Sequence, residues 1–486
     1  MLAQIATAIN VAALVAGVFC ILSRRSEWLL ALLIAGTGLA GFKIPFLGII
    51  WSPDKVILLC CLVGVLTNTT MQQQMVSPRA FGNFAVVVLL VMAWGLVSAI
   101  LFEAPIDTAG VGLQSKFWRP IVQTYHYATY CCAFVLTAST LCTLPRISRF
   151  INRYLAVVIA SAVVGYVQLA AYGLGLPFLP IQRGYSESES AVFTNVAGEA
   201  TYRLYGVAGE PKNLAALLLP VIVALLVILA TRCPRPGLLK WAGAWVLLIT
   251  PVFFLTFSTA ALLAFALAIG GLMLVSTQLK RSPLIQYFFV LGLLSPAALL
   301  AASAAGIDLG QGSEVSYARI LFDRTIGRIT REGADVPEGR VLFHLLNTQP
   351  DSFVTGLGPG MYVFHVPGMI GALGVQPVRS GWLVLLFDYG LIGVAAIAIA
   401  VYVLIRRAAR KCRAMSTQNQ LHYALQIVAM GGLLGAACMT AGVATWTSLS
   451  LFGGLAWASS RIGLIPSSAV EEKRPLVRTA GASTIL

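Results

Sequence analysis

A chain of 486 residues with 58% apolar and only 10% charged residues cannot be a soluble globular domain, in which about a quarter of the residues are charged. With a mean hydropathy of +0.85 it reads as a polytopic membrane protein. Its net charge of +15 has to be judged by where the basic residues fall along the chain before it is taken for a nucleic-acid footprint.

In chain order, apolar runs long enough to cross a hydrocarbon core of about 30 Å recur near residues 4–22, 27–42, 56–70, 80–102, 120–143, 154–175, 213–231, 238–257, 259–279, 284–305, 380–405, 421–440 and 443–460. The expected fold class is an all-α polytopic membrane protein with about 12–13 transmembrane helices. The first run lacks a charged start and an Ala-x-Ala-like exit, so it is expected as a retained helix rather than a signal peptide.

The spans divide the chain into transmembrane helices over 1–175, a connecting loop over 176–212, central helices over 213–305, a large polar segment over 306–380, C-terminal helices over 381–462 and a small, polar tail over 463–486 that is expected to be disordered. Arg24 and Arg25 after the first span set the threading, because Lys and Arg gather on the cytoplasmic side of short loops. That side then holds about 20 Lys and Arg against about 3 acids, and the other side about 13 against about 14, with Asp388 inside a span. The positive charge is therefore topology, it favours anionic membrane lipids on the cytoplasmic rim, and it does not argue for nucleic acid. All nine cysteines fall in or beside apolar helices or on the cytoplasmic side, so no disulfide framework is implied.

Three constellations on the external side carry chemistry. The first is Arg203, Leu204, Tyr205, Gly206 and then Glu210, Pro211, Lys212, Asn213 at the entry to an apolar helix. Proline at a helix start costs no hydrogen bond, and the free N–H groups there favour an anion beside Arg203 and Lys212. The same residues also fit a capped interfacial helix with snorkelling basic side chains.

The second is 317–331, where helical spacing puts Tyr317, Arg324, Arg328 and Arg331 on one face and Phe322, Ile326 and Ile329 opposite. Such a face can grip a phosphate or simply rest above headgroups. The third places Arg340, His344 and Asn347 at i, i+4 and i+7 of a helix, followed by a Gly356, Gly358, Pro359, Gly360 turn, His365, and Arg379 at the next helix entry. His344 is the first candidate base and Glu210 the second. No metal-ligand spacing, Ser-His-Asp set or nucleotide loop is present, so neither a metal nor a cofactor is expected.

Taken together, Arg203 to Ala215, Thr256 to Ser258, Gly356 to Gly360 and Asp388 to Gly393 resemble, in order, the O-antigen polymerase and O-antigen ligase superfamily over about residues 200–395. The resemblance implies a GT-C-like fold with a large periplasmic loop containing short helices. It also implies a bacterial inner-membrane glycosyltransferase that takes undecaprenyl-diphosphate-linked glycans as donor and acceptor on the periplasmic face, beside a chain-length regulator and a flippase of the same pathway.

On that reading Arg203, Arg340 and Arg379 contact the diphosphate, Lys212, Arg324 and Arg328 assist, and Asn213, His365 and Tyr205 complete the substrate site. Two positions depart from the family pattern. Thr259 stands where an Arg often follows Thr-Phe-Ser, and Arg379, Ser380, Gly381 stand where ligases carry a His-Asn or similar pair. The second departure favours polymerase over ligase, with His344 or His365 able to substitute as base. A transporter or flippase of lipid-linked saccharide is the reading from another class, for which mid-membrane charge is limited to Asp388 and His126.

Overall fold

The computed structural model describes residues 2–46, 49–67, 78–102, 104–105, 115–176, 192–194, 200–231, 235–256, 258–275, 282–290, 337–371, 374–375, 378, 380–414, 420–439 and 446–462. Helices account for most of them: α1 (Leu2–Leu22), α2 (Ser26–Gly38), α3 (Pro53–Thr67), α4 (Pro78–Leu101), α5 (Trp118–Thr140), α6 (Leu144–Gly173), α7 (Pro211–Thr231), α8 (Ala242–Phe254) and α9 (Thr259–Val275). They continue with α10 (283–290), α11 (Pro337–Thr348), α12 (Ser352–Thr355), α13 (Tyr362–His365), α14 (Gly381–Ala414), α15 (Gln420–Cys438) and α16 (Trp446–Arg461). Four of these begin on a proline, whose missing N–H costs nothing at a helix start.

Each of the thirteen apolar runs has a helical counterpart, and six helices among the described residues are long and apolar enough to cross a membrane. This is a multi-pass helical membrane protein. Among the described residues, the connecting segments add three two-stranded antiparallel hairpins, β1–β2 (Ile44–Phe46 with Ile49–Trp51), β3–β4 (Val192–Thr194 with Ala200–Tyr202) and β5–β6 (Ile370–Gly371 with Gly374–Val375).

Two helices run past the apolar stretches that predicted them. α6 starts at Leu144 and carries Arg146 and Arg149, which pair with Glu27 at 2.8 and 3.2 Å. α14 continues through the basic cluster to Ala414. Lys and Arg are good helix formers, so the backbone ladder does not stop where the lipid does.

Packing at the centre relies on small residues, as expected where helices associate without a hydrophobic driving force. Gly431 and Gly435 stand one turn apart on α15, against Ala224 and Pro220 of α7. A side-chain carbon added at Gly435 would lie 2.9 Å from the Pro220 Cα, and one at Gly431 would lie 3.1 Å from the Ala224 Cα. The approach also accommodates Pro220 inside α7. Gly435→Val is therefore expected to cost about 2 kcal/mol in thermal unfolding of the detergent-solubilised protein. Gly243→Ala, where nothing lies within 4 Å, should be neutral or slightly stabilising. Equal midpoints for the two variants would remove the close contact as a stability determinant.

Candidate functional site

The long helix α14 is interrupted at Gly390, whose φ of 63° and ψ of −165° lie outside the helical region. A break leaves carbonyls of the preceding turn without their i+4 partners, and an apolar bundle has no water to replace them. The glycine turn supplies the partners: Leu357 N donates to Phe387 O at 2.8 Å and Gly358 N to Asp388 O at 3.0 Å. The backbones come so close that a Cβ at Gly356 would sit 2.6 Å from Asp388 O, and one at Gly390 would sit 2.3 Å from Val354 O. Only glycine fits both positions, and both have positive φ. On the other side of the turn, Thr355 O accepts Trp94 Nε1 at 2.8 Å and Ser98 Oγ at 3.2 Å, which ties α4 to the clasp.

Asp388 sits at the centre and is fully buried. Its Oδ1 accepts Gly360 N and its Oδ2 accepts the Tyr127 hydroxyl, each at 2.8 Å. The buried Arg119 donates from Nε to Gly360 O at 2.7 Å and acts electrostatically on Asp388. A carboxylate withdrawn from water is thus hydrogen-bonded on both oxygens and faced by a cation, as burial of charge requires.

Beyond the clasp the segment 337–371 forms a small apolar cap whose core includes Val341, Leu345, Leu357, Val363 and Phe364. The expected helix carrying Arg340, His344 and Asn347 is present as α11. Val341 and Leu345 face the core, Arg340 and His344 flank them half-buried, and Asn347 is exposed. Arg340 Nη1 reaches Gly368 O at 3.4 Å. His365, on α13, is 2% exposed, and neither ring nitrogen has a hydrogen-bond partner among the described residues. Burial, then the Lys116 ammonium, then His344 push its pKa down to about 4. Lys116 is itself anchored through Nζ to Ala104 O at 2.9 Å. Lys116, His344 and His365 therefore share one neighbourhood above the clasp.

The 203–213 segment is built differently. Gln168 of α6 holds it, accepting Tyr205 N at 3.0 Å and Gly206 N at 2.8 Å and donating to Arg203 O at 3.3 Å. Arg203 Nε donates to Thr256 O at 3.0 Å. Glu210 stands between Lys43 at 3.6 Å and Lys212 at 3.2 Å, so this candidate base is engaged by two ammonium groups. Asn213 Nδ2 donates to Ala208 O at 3.5 Å, while its buried Oδ1 has no hydrogen-bond partner among the described residues. The Tyr205 ring is 7% exposed and packs within the bundle, so it offers no open face to a sugar.

The 203–213 segment and the 337–371 segment rest on different neighbours. The first leans on α6 and the turn after α8, whereas the second leans on α4, α5 and α14. Helix α5 carries Arg119 at the glycine turn and His126 near Lys55. Arg324, Arg328 and Arg379 lie outside the described residues.

Sequence reasoning missed Lys116, Arg119, Tyr127 and Gln168. Arg119, Gln123 and His126 recur at i, i+4 and i+7 in a span, a polar stripe that could have been read as facing protein rather than lipid. Gly360 packs on it, a Cβ there being 2.7 Å from Gln123 Cγ.

Compared with models of protein families, with curated proteins and with solved structures, the chain matches none.

Two outcomes follow from this geometry. Asp388→Ala leaves Gly360 N and the Tyr127 hydroxyl without their buried acceptor and should cost about 3–5 kcal/mol; Tyr127→Phe removes one hydrogen bond and should cost about 1 kcal/mol. Thermal unfolding in one detergent checks both, and similar midpoints for the two variants would deny Asp388 its central place. His365 supplies a pH dependence. Its native pKa of about 4 lies below the ordinary 6.5, so the unfolded chain binds its proton first. Stability conferred by the neutral imidazole is complete above about 6.5 and falls by roughly 3 kcal/mol as pH drops to about 4. His365→Leu should flatten the unfolding midpoint across that window; an unchanged slope would show that other groups set it.

Proposed function

We propose that this protein is a glycosyltransferase that works at the periplasmic face of a bacterial inner membrane. It polymerises undecaprenyl-diphosphate-linked oligosaccharide repeat units of an O-antigen, capsule or exopolysaccharide, without metal or nucleotide. The observation that carries the reading is the clasp at Gly390. It fixes the 337–371 segment bearing Arg340, His344 and His365 onto a membrane helix, with Lys116 and Arg119 alongside. A positioned set of cations and an imidazole at the end of a membrane bundle suits a donor that is anchored in lipid and carries two phosphates.

In the proposed step the acceptor sugar hydroxyl attacks the anomeric carbon of the donor. The bond from that carbon to the diphosphate oxygen breaks, and the diphosphate leaves with the electron pair. The hydroxyl proton passes to the imidazole of His344. Charge developing on the leaving diphosphate is met by Arg340 and Lys116, with Arg203, Lys212 and Arg379 as further candidate contacts to the diphosphate. Glu210, held between two lysines, serves to place them rather than to take the proton.

The test is direct: purified protein is given a lipid-diphosphate oligosaccharide and glycan length is followed. Longer glycans are expected. His344→Gln should slow transfer by about 100-fold or more with donor binding retained. Arg340→Ala should lower transfer by about 10-fold or more. Full activity in both variants would sink these assignments. Transfer only to a lipid A core acceptor, with no elongation of lipid-linked units, would replace polymerisation with ligation.

A further inference from the structure

Between Tyr389 and Val470 the sequence carries six Lys and Arg residues and no Asp or Glu. Four of the six, Arg406, Arg407, Arg410 and Arg461, are exposed at the C-terminal ends of α14 and α16. Arg406 lies 5.9 Å from the Tyr402 ring, and Arg407 and Arg461 lie 5.2 and 5.5 Å from the Trp457 ring. A ring contact holds a guanidinium but does not supply the anion that its N–H fork fits. Among the described residues the ion pairs are made elsewhere: Glu27 takes Arg146 and Arg149 of α6, whereas no carboxylate meets these four arginines. Lys411 is occupied, donating to Ser460 O at 2.9 Å and to Ile462 O at the carbonyl end of α16. Positive charge without a counter-charge from the protein is therefore gathered on two neighbouring helix ends.

The face of α14 that leads to this charge is apolar. No charged residue occurs from Tyr389 to Ile405. In the helix after the break at Gly390, a turn of about 100° per residue puts Ile392, Ile399, Val403, Arg406 and Arg410 within about 40° of one line. All of them are exposed. One outward face thus runs as an apolar stripe and ends on two arginines at i and i+4. In a membrane such a stripe meets acyl chains, and the cations that end it meet headgroups. Free phosphate would use the arginines and leave the stripe without a role. A zwitterionic headgroup brings its own cation and leaves the arginines uncompensated.

We propose that this face binds one anionic phospholipid, its phosphate held by Arg406 and Arg410 with Arg407 and Arg461 alongside, and its acyl chains on Ile392, Ile399 and Val403. The site belongs to a particular pair of helix ends and is distinct from the general attraction of a basic rim for acidic lipid.

The experiment titrates phosphatidylglycerol into the purified full-length protein in a neutral detergent and follows the unfolding midpoint. The midpoint should rise by about 3 °C or more, saturably, because a ligand of the native state shifts unfolding by mass action. Phosphatidylcholine of the same chains and inorganic phosphate at matched ionic strength should each give less than about a third of that rise. The double variant Arg406→Gln, Arg410→Gln should need about 10-fold more phosphatidylglycerol for half the rise. Arg24→Gln, Arg25→Gln removes equal charge from another exposed turn and should titrate like the wild type. Should the Arg406, Arg410 double variant fail to fold, each of its single variants should need about 3-fold more lipid. Equal rises with the two lipids, or a full rise with inorganic phosphate, would overturn the proposal. So would an unshifted titration of the Arg406 and Arg410 variants, or an equal shift in the Arg24, Arg25 variant. None of these readouts depends on glycan transfer, so the two proposals fail separately.

Discussion

A helix that breaks inside a membrane bundle must give its freed carbonyls new partners, because there is no water to take them. In this protein that constraint falls on Gly390, and the answer is a second segment of chain, the turn from Gly356 to Gly360, folded against the break. Backbone meets backbone at distances that exclude a side chain on either strand of the contact. The segment 337–371 is therefore not a loop laid over the bundle but one fastened into it. Trp94 and Ser98 from α4 and Arg119 from α5 close the fastening from the other sides.

Electrostatics follows from the same contact. A carboxylate in the middle of a span is expensive on its own. Asp388 lies one residue from Tyr389 and two from the break, where the glycine turn brings an N–H and α5 brings Tyr127 and Arg119. The charge that would destabilise an intact helix becomes the link between three elements. Above it, the cap places Lys116 and His344 beside His365.

Elsewhere in the bundle, small residues set the packing. α7 and α15 meet through Gly431, Gly435, Ala224 and Pro220. At the opposite end of α6 and α14 the basic residues find their own anchors: Glu27 takes Arg146 and Arg149, and Arg407 and Arg461 lie 5.2 and 5.5 Å from the Trp457 ring. Charge at that end is held by ion pairs and aromatic faces, whereas charge at the other is buried and shared between segments.

Much of this was legible in the amino-acid order. Apolar runs of membrane length, proline at helix starts and the one-sided basic residues determine a multi-pass helical protein and place its helices, because each property depends only on local hydrophobicity, backbone chemistry and charge. The glycine turn, Asp388 and the Arg340–His344 helix also stood out as separate motifs. What the order of residues left undecided was how they combine. Asp388 and Tyr127 are 261 positions apart, as are Thr355 and Trp94. The Arg203 segment is gripped by Gln168, 37 positions before Tyr205. Periodicity reports which face of a helix is apolar, but not which distant backbone will satisfy a broken turn; that is decided only when the bundle closes and every buried polar group must find a partner.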